Sequence, residues 1–268
     1  MIDYQQDGAI ARLTVDRADK KNAFTTAMWQ ALLGHCQAIQ AAVARGAPDA
    51  PRVLLLQGQA GAFCAGADLQ EMTVLVQDPQ ALAANNAVVT QAQLALEQLP
   101  LPTLAVVDGP CFGGGFGLAA ACDFRIGSTR SRYAITPARL GLVYSLEDTR
   151  RVLRLLGDAR TRQMLLRSLQ LDAATALQWG VLDAVFEPAD LAAAATARAQ
   201  ALALQSPTSM AGIKATLACL GHPGSSAADA VEAERAEAIA RAACDAAYTG
   251  PDFAEGAAAF VARRPPNF

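Results

Sequence analysis

Two glycine-rich segments carry the residue types in this chain best suited to chemistry. The first runs from Gly58 to Asp68, and the second is Gly113-Gly114-Gly115-Phe116-Gly117. Each follows a short apolar run and leads into a helical stretch. A strand that stops at glycines and turns into a helix leaves several backbone N–H groups without acceptors. Those groups point at whatever lies above the helix start, where the dipole favours negative charge. Glycine also lets a ligand approach the backbone closely. One such loop reads equally well as a tight turn with no ligand. Two in similar contexts point to an anion site.

A nucleotide phosphate fits this spelling poorly. After Gly61 and Gly66 the first loop has Ala67 and Asp68 where a phosphate loop needs Lys and Ser or Thr. The second is spaced G-x-G-x-G, lies mid-chain and does not follow a first strand. A transient oxyanion, held by one N–H from each loop, fits better. The other chemical groups are sparse. His35 falls on a helix and His222 in a Pro/Gly turn, so both read as surface or capping residues. Without clustered His or Cys there is no metal site to propose, and no serine sits in a G-x-S-x-G elbow. Glu147 and Asp148 precede a helix expected to begin near Thr149, where carboxylates complement the helix dipole. Asp68 reads as the cap of a short helical stretch, Leu69 to Met72.

These loops need elements to hold them. Ala9 to Asp16 alternates as a half-buried strand. Thr25 or Thr26 caps a helix with Met28, Leu32, Leu33, Cys36 and Ile39 at helical spacing, stopped by Gly46, Pro48 and Pro51. Arg52 to Gln57 and Thr103 to Val107 are continuous apolar runs, as in strands covered on both faces. A helix over Pro79 to Leu99 lies between them. The unit of strand, glycine loop and helix thus occurs twice, which implies a layered α/β core. Helices are expected over Thr149 to Leu156, Ala159 to Leu169, Ala173 to Trp179 and Ala189 to Leu204, with a short strand at Leu182 to Phe186. The remaining tail reads as helices broken at Ser206-Pro207 and Gly221-His222-Pro223-Gly224.

Composition bounds the function. The 268 residues are 53% hydrophobic and 18% charged, with net charge −3 and only three lysines, Lys20, Lys21 and Lys214. That balance argues against a nucleic-acid surface, RNA included. No apolar stretch reaches the roughly 18 residues of a membrane span, and the Met1-Ile2-Asp3-Tyr4 start lacks a signal-peptide pattern. Six cysteines without a C-x-x-C pair (Cys36, Cys64, Cys111, Cys122, Cys219, Cys244) read as buried reduced thiols of a cytosolic, cytoplasmic protein.

Several motifs occur together in order. They are Phe63-Cys64-Ala65-Gly66-Ala67-Asp68-Leu69, Pro102 to Gly109, Gly113-Gly114-Gly115, Cys122-Asp123 and Leu140-Gly141. Ala176-Leu177-Gln178-Trp179-Gly180-Val181-Leu182-Asp183 and the ending from Glu255-Gly256 to Asn267-Phe268 complete the set. Together they resemble the crotonase superfamily, the enoyl-CoA hydratase/isomerase family, over nearly the whole chain. The resemblance implies an α/β fold, a crotonase-like spiral of repeated ββα units over 1–205, with a C-terminal helical region over 206–268 that builds trimers or dimers of trimers. It implies an acyl-CoA thioester as substrate, with coenzyme A as part of that substrate and no separate cofactor. The oxyanion donors would be the amides of Ala67 and Gly114. Substrate contacts would fall at Arg17, Lys20, Lys21, Ala23, Ala65, Asp68, Leu69, Gly113, Gly117 and Pro137, the first three near the CoA phosphates.

The departures matter as much. Hydratases of this family use two glutamates to activate and deliver water. Their positions are Gly117 and Pro137 here, and neither residue can do acid–base work. Several family isomerases place an Asp where this chain has Ser145. The stretch Thr136 to Tyr144 most resembles the methylmalonyl-CoA decarboxylase branch, which has a Thr-Pro and a pocket tyrosine at the positions of Thr136-Pro137 and Tyr144. That branch carries a glutamate at the position of Gly117 and a histidine at that of Ala67. The expected reaction is therefore decarboxylation or isomerisation of an acyl-CoA by an enolate-stabilising lyase or isomerase of fatty acid metabolism. Tyr144 or Glu147 would act beside the oxyanion donors. The alternatives are an ordinary hydratase using Glu147 and a non-catalytic acyl-CoA-binding trimer.

Overall fold

A computed structural model describes residues 1–220 and 227–268, with side chains from residue 233 onward in the second segment. Along the chain it holds β1 (Ile2–Asp7), β2 (Ile10–Val15), α1 (Thr26–Ala44), β3 (Val53–Gly58), α2 (Leu69–Leu75), α3 (Pro79–Glu97), β4 (Thr103–Val107), β5 (Pro110–Phe112) and α4 (Gly114–Ala121). There follow β6 (Phe124–Ser128), β7 (Arg132–Ala134), α5 (Leu146–Leu166), β8 (Leu171–Asp172), α6 (Ala173–Trp179), β9 (Ala184–Phe186), α7 (Leu191–Ala203), α8 (Pro207–Leu220), α9 (Ala227–Thr249) and α10 (Pro251–Ala262). The Gly221-His222-Pro223-Gly224 break, and His222 with it, lies outside the described residues.

One sheet has the order β1-β2-β3-β4-β6-β9 and a second the order β5-β7-β8. β1 is antiparallel to β2, and the rest of the larger sheet is parallel. β4 joins the large sheet, β5 the small one, and α4 follows; β6, β7 and α5 repeat the pattern. This is the ββα spiral that the motifs implied.

The apolar runs at β3 and β4 are continuous because both faces are covered. Leu54, Leu56, Ala105 and Val107 pack into the main core with Phe24, Trp29, Leu32 and Phe116. Val53, Leu55, Leu104 and Val106 pack on the other side against Leu191, Ala195 and Ala199 of α7. The small side chains of that helix let it lie close on the sheet.

The structure corrects several expectations. β1 is a polar edge strand with no apolar period to announce it. α5 begins at Leu146, three residues before Thr149, because Ser145 caps it by accepting the Asp148 amide at 3.0 Å. The two helices expected on either side of residue 157 form one element kinked at Gly157, whose φ is 70°. Of the six cysteines, Cys36, Cys64, Cys111 and Cys122 are buried, but Cys219 is half-buried and Cys244 exposed; all are free thiols. Burial pushes the Cys64 thiol up to about 12, and Cys111 well above its ordinary value. Neither is a nucleophile at neutral pH.

The C-terminal helices are tied to the core by charge. Lys214 Nζ lies 2.5 Å from Asp123 Oδ2 and donates to the Leu101 carbonyl at 3.1 Å. Arg52 donates to the carbonyls of Gln205 and Phe268 at 2.6 and 3.0 Å. Among the described residues no helix is long and apolar enough to cross a membrane.

Candidate active site

The two glycine loops meet. Cys64 and Cys111 form a parallel bridge: the Cys64 amide donates to the Pro110 carbonyl at 3.0 Å and the Phe112 amide to the Cys64 carbonyl at 2.9 Å. Gly66 has φ +103°, and a Cβ there would lie 3.0 Å from the Phe112 carbonyl oxygen and 3.7 Å from the Gly114 nitrogen. Only glycine takes that backbone and that approach without strain. The tip of the first loop thus rests against the start of α4.

Each of the two touching loops carries a free donor. Phe24 and Ala67 form a second parallel bridge, made by the Gly66 carbonyl and the Asp68 amide, both at 2.8 Å to Phe24. Such a bridge uses the neighbours of Ala67, so the Ala67 amide faces the other way. Gly114 opens α4, where an amide has no intrahelical acceptor. Among the described residues neither amide is given an acceptor. Two N–H groups from separate loops can hold one oxygen that gains charge. The indole of Trp29 lies beside them, its Cζ2 being 3.4 Å from the Cβ position of Gly114.

The basic turn stands next to the first loop but is only partly free. Arg17 is bound to Asp68 at 2.5 Å and donates to the Ala23 carbonyl at 3.0 Å. Lys20 donates to Gln70 Oε1 at 3.2 Å, and the Lys21 carbonyl accepts the Ala65 amide at 3.0 Å. Lys20 and Lys21 are exposed, as is Leu69. Asp68 caps α2 as expected, accepting from Gln70 and Glu71. The hydrogen bond from the Glu71 amide leads the causes that hold its carboxyl below the usual range. A lowered carboxyl stabilises above the unfolded-state pKa of about 3.9 and loses that contribution as pH falls through the native value. Asp68→Ala is expected to cost roughly 0.5–2 kcal/mol at neutral pH. In thermal melts the gap from the parent should close on acidification below about pH 4; a gap independent of pH would count against the capping role.

The segment before α5 completes the site. The Tyr144 hydroxyl donates to the Gly113 carbonyl at 3.0 Å, the same carbonyl that accepts the Gly117 amide at 3.1 Å. Burial, with the Asp148 charge next, keeps the phenol well above its ordinary pKa and so neutral. The hydroxyl proton is thus committed to buttressing the glycine turn. Gly113 itself has φ 50° and ψ −114°, a glycine conformation. Pro137 starts a 3-10 turn, Pro137–Leu140, and offers no acid.

Glu147 and Asp148 behave differently. Both lie in the first turn of α5, but Glu147 is half-buried while Asp148 is 4% exposed. Asp148 Oδ1 accepts from Arg151 at 2.9 Å and Oδ2 from Gln93 Nε2 at 3.3 Å. A Cβ on Gly117 would stand 2.5 Å from Asp148 Oδ1 and 2.6 Å from Gln93 Nε2. The carboxylate turned inward is therefore Asp148, not Glu147. Sequence reasoning gave Asp148 only a helix-dipole role and did not single out Gln93 or Trp29. The signal available was a glycine at 117 together with an Asp-x-x-Arg at 148–151 and a Gln93/Glu97 pair spaced i, i+4.

Residues 5–268 match the model of a protein family described as enoyl-CoA hydratase/isomerase. The chain is 34% identical over 181 residues to an enoyl-CoA isomerase/hydratase of Mycosarcoma maydis, spanning 66% of this chain and 65% of that protein. It is 28% identical over 219 residues to the methylmalonyl-CoA decarboxylase of Escherichia coli (strain K12), covering 81% and 80% of the two chains. The crystal structure of an enoyl-CoA hydratase/isomerase family protein from Hyphomonas neptunium superposes with a TM-score of 0.88 at 29% identity, over 100% of this chain and 97% of that one.

Proposed function

The chain belongs to the enoyl-CoA hydratase/isomerase family, and we propose that it holds the oxygen of an acyl-CoA thioester with the Ala67 and Gly114 amides as that oxygen becomes an enolate. The observation that supports this reading is the contact between the two glycine loops: the Cys64–Cys111 bridge joins them, and a Cβ on Gly66 would lie 3.7 Å from the Gly114 nitrogen. The leading reaction is decarboxylation of a malonyl-type thioester, with isomerisation of an enoyl thioester second. Loss of carbon dioxide leaves its electron pair on the α-carbon, and two fixed donors stabilise the charge that reaches the oxygen. No base is needed to start it. This suits a site with Gly117 and Pro137 at the two hydratase positions. Tyr144 steadies the turn that carries Gly114. Lys20 and Lys21 meet the CoA phosphates, and coenzyme A comes with the substrate rather than as a resident cofactor.

The test is turnover of methylmalonyl-CoA and of a 3-enoyl-CoA by the purified protein. Release of carbon dioxide or a double-bond shift supports the reading. Tight binding of both thioesters without turnover would leave an acyl-CoA-binding protein instead.

Assembly is part of the same proposal. The C-terminal helices expose Phe260 and Val261 at 86% and 82%, a large apolar surface to leave in water. Sedimentation at micromolar concentration is expected to give the mass of three or six chains. The mass of one chain would contradict it.

A further inference from the structure

The reading above leaves one step without a residue: the enolate carbon must take a proton. We infer that Asp148 delivers it, from the space that a side chain at position 117 would fill. This rests on the enolate reading. Three observations converge on it. Asp148 Oδ1 lies 2.5 Å from the Cβ position of Gly117, so only a residue with no side chain at 117 admits that carboxyl. Gly117 is three residues along α4 from Gly114, which puts the two positions about 5–6 Å apart on one helix face. An oxygen held about 3 Å from the Gly114 amide therefore brings its α-carbon within reach of a group at position 117.

The third observation is how the surrounding charges divide. Arg151 of α5 stands between two carboxylates, donating to Asp148 Oδ1 at 2.9 Å and to Glu97 Oε2 of α3 at 2.8 Å. Arg154 also pairs with Glu97. Burial would raise Glu97, but the two arginines outweigh it and its carboxyl titrates low. Asp148 has only the shared Arg151, with Ser145 and Gln93, and burial outweighs them, so its carboxyl titrates high. Tyr144, whose phenol feels the Asp148 charge, stays neutral. Two carboxyls pushed apart in this way separate a permanent counter-ion from a proton carrier. Glu97 anchors Arg151, and Asp148 carries the proton.

The step balances. The bond from the α-carbon to the carboxylate breaks, carbon dioxide leaves, and the electron pair forms the enolate. The α-carbon takes the proton of the Asp148 carboxyl, the thioester carbonyl re-forms, and a carboxylate remains beside Arg151. A solvent proton restores it, so each turnover consumes one proton.

The experiment is decarboxylation of methylmalonyl-CoA in deuterium oxide by the full-length protein and by Asp148→Asn, followed across pH. The acid form is the active one, so the parent rate should fall as pH rises through the Asp148 titration. The parent should place deuterium on one face of the product α-carbon. Asp148→Asn should lose about 10²–10⁴-fold in rate, lose the high-pH limb and give mixed stereochemistry, while its affinity for propionyl-CoA stays within about twofold. Should the asparagine variant not fold, the exchanged pair Asp148→Gly with Gly117→Glu returns a carboxyl to the same space. Turnover within about tenfold of the parent would support the assignment, and a folded pair at background rate would overturn it. A folded Asp148→Asn with the parent's rate, limb and stereochemistry overturns the Asp148 assignment alone. A parent that turns over neither methylmalonyl-CoA nor a 3-enoyl-CoA overturns the enolate reading, and the role of Asp148 with it.

Discussion

Crotonyl-CoA hydration by this protein is expected to run at least about 100-fold below the rate of roughly 10 per second usual for enzymes. Water addition in this family, as the resemblance implies, employs two carboxylates, one to activate the water and one to deliver its proton. Here the two positions hold Gly117 and Pro137. The structure returns one carboxyl to the neighbourhood of the first, through Asp148. At the second, Pro137 opens a 3-10 turn and supplies no acid of its own. One general acid–base group is worth about 10²–10⁴-fold, and its loss sets the expected deficit. Decarboxylation needs a single protonation and escapes that deficit. The check is the loss of enoyl thioester absorbance with time, compared with carbon dioxide release from methylmalonyl-CoA by the same preparation. Hydration at about 10 per second or faster would show that the site runs two-acid chemistry after all.

Removing one oxyanion donor should have an effect of similar size. Gly114→Pro deletes an amide hydrogen at the first position of α4, where proline is well tolerated in helices. Loss of one such donor removes about 2.7–4 kcal/mol of transition-state stabilisation, or about 10²–10³-fold in turnover. Binding of the ground-state thioester should change far less, because the donor matters most when charge develops. Trp29 lies beside Gly114, so its fluorescence can report thioester binding while turnover is followed separately. Circular dichroism establishes that the variant folds. A folded variant with undiminished turnover would remove Gly114 from the mechanism.

The parts of this fold legible in the sequence are those where one physical signal dominates. Thr103 to Val107 reads as a strand to the residue, because burial on both faces demands an uninterrupted apolar run. Thr25 or Thr26 reads as a cap, and it is the Thr25 oxygen that accepts the Met28 amide. Asp68 does likewise for α2. The short strands β5 and β7, three residues each, carry no period long enough to see. Their partners are set by the spiral rather than by their own residues. Polar β1 is held by its pairing with β2. The site divides similarly. The glycine loops announce themselves, because positive φ and close approach admit little else. The Asp148 position does not, because its meaning lies in an empty space at Gly117, supplied by another helix. The same reasoning explains why the sequence reading chose Glu147: neighbours in sequence on a first helical turn point in different directions, and only packing against α3 and α4 separates them.

The central claim is that the Ala67 and Gly114 amides receive a thioester oxygen. A crystal structure with an unreactive acyl-CoA thioester analogue tests it most directly. The expected result places the carbonyl oxygen about 2.7–3.1 Å from both nitrogens, with the α-carbon facing the Asp148 carboxyl and the CoA phosphates towards Lys20 and Lys21. A thioester seated with its carbonyl oxygen on neither amide would contradict the account.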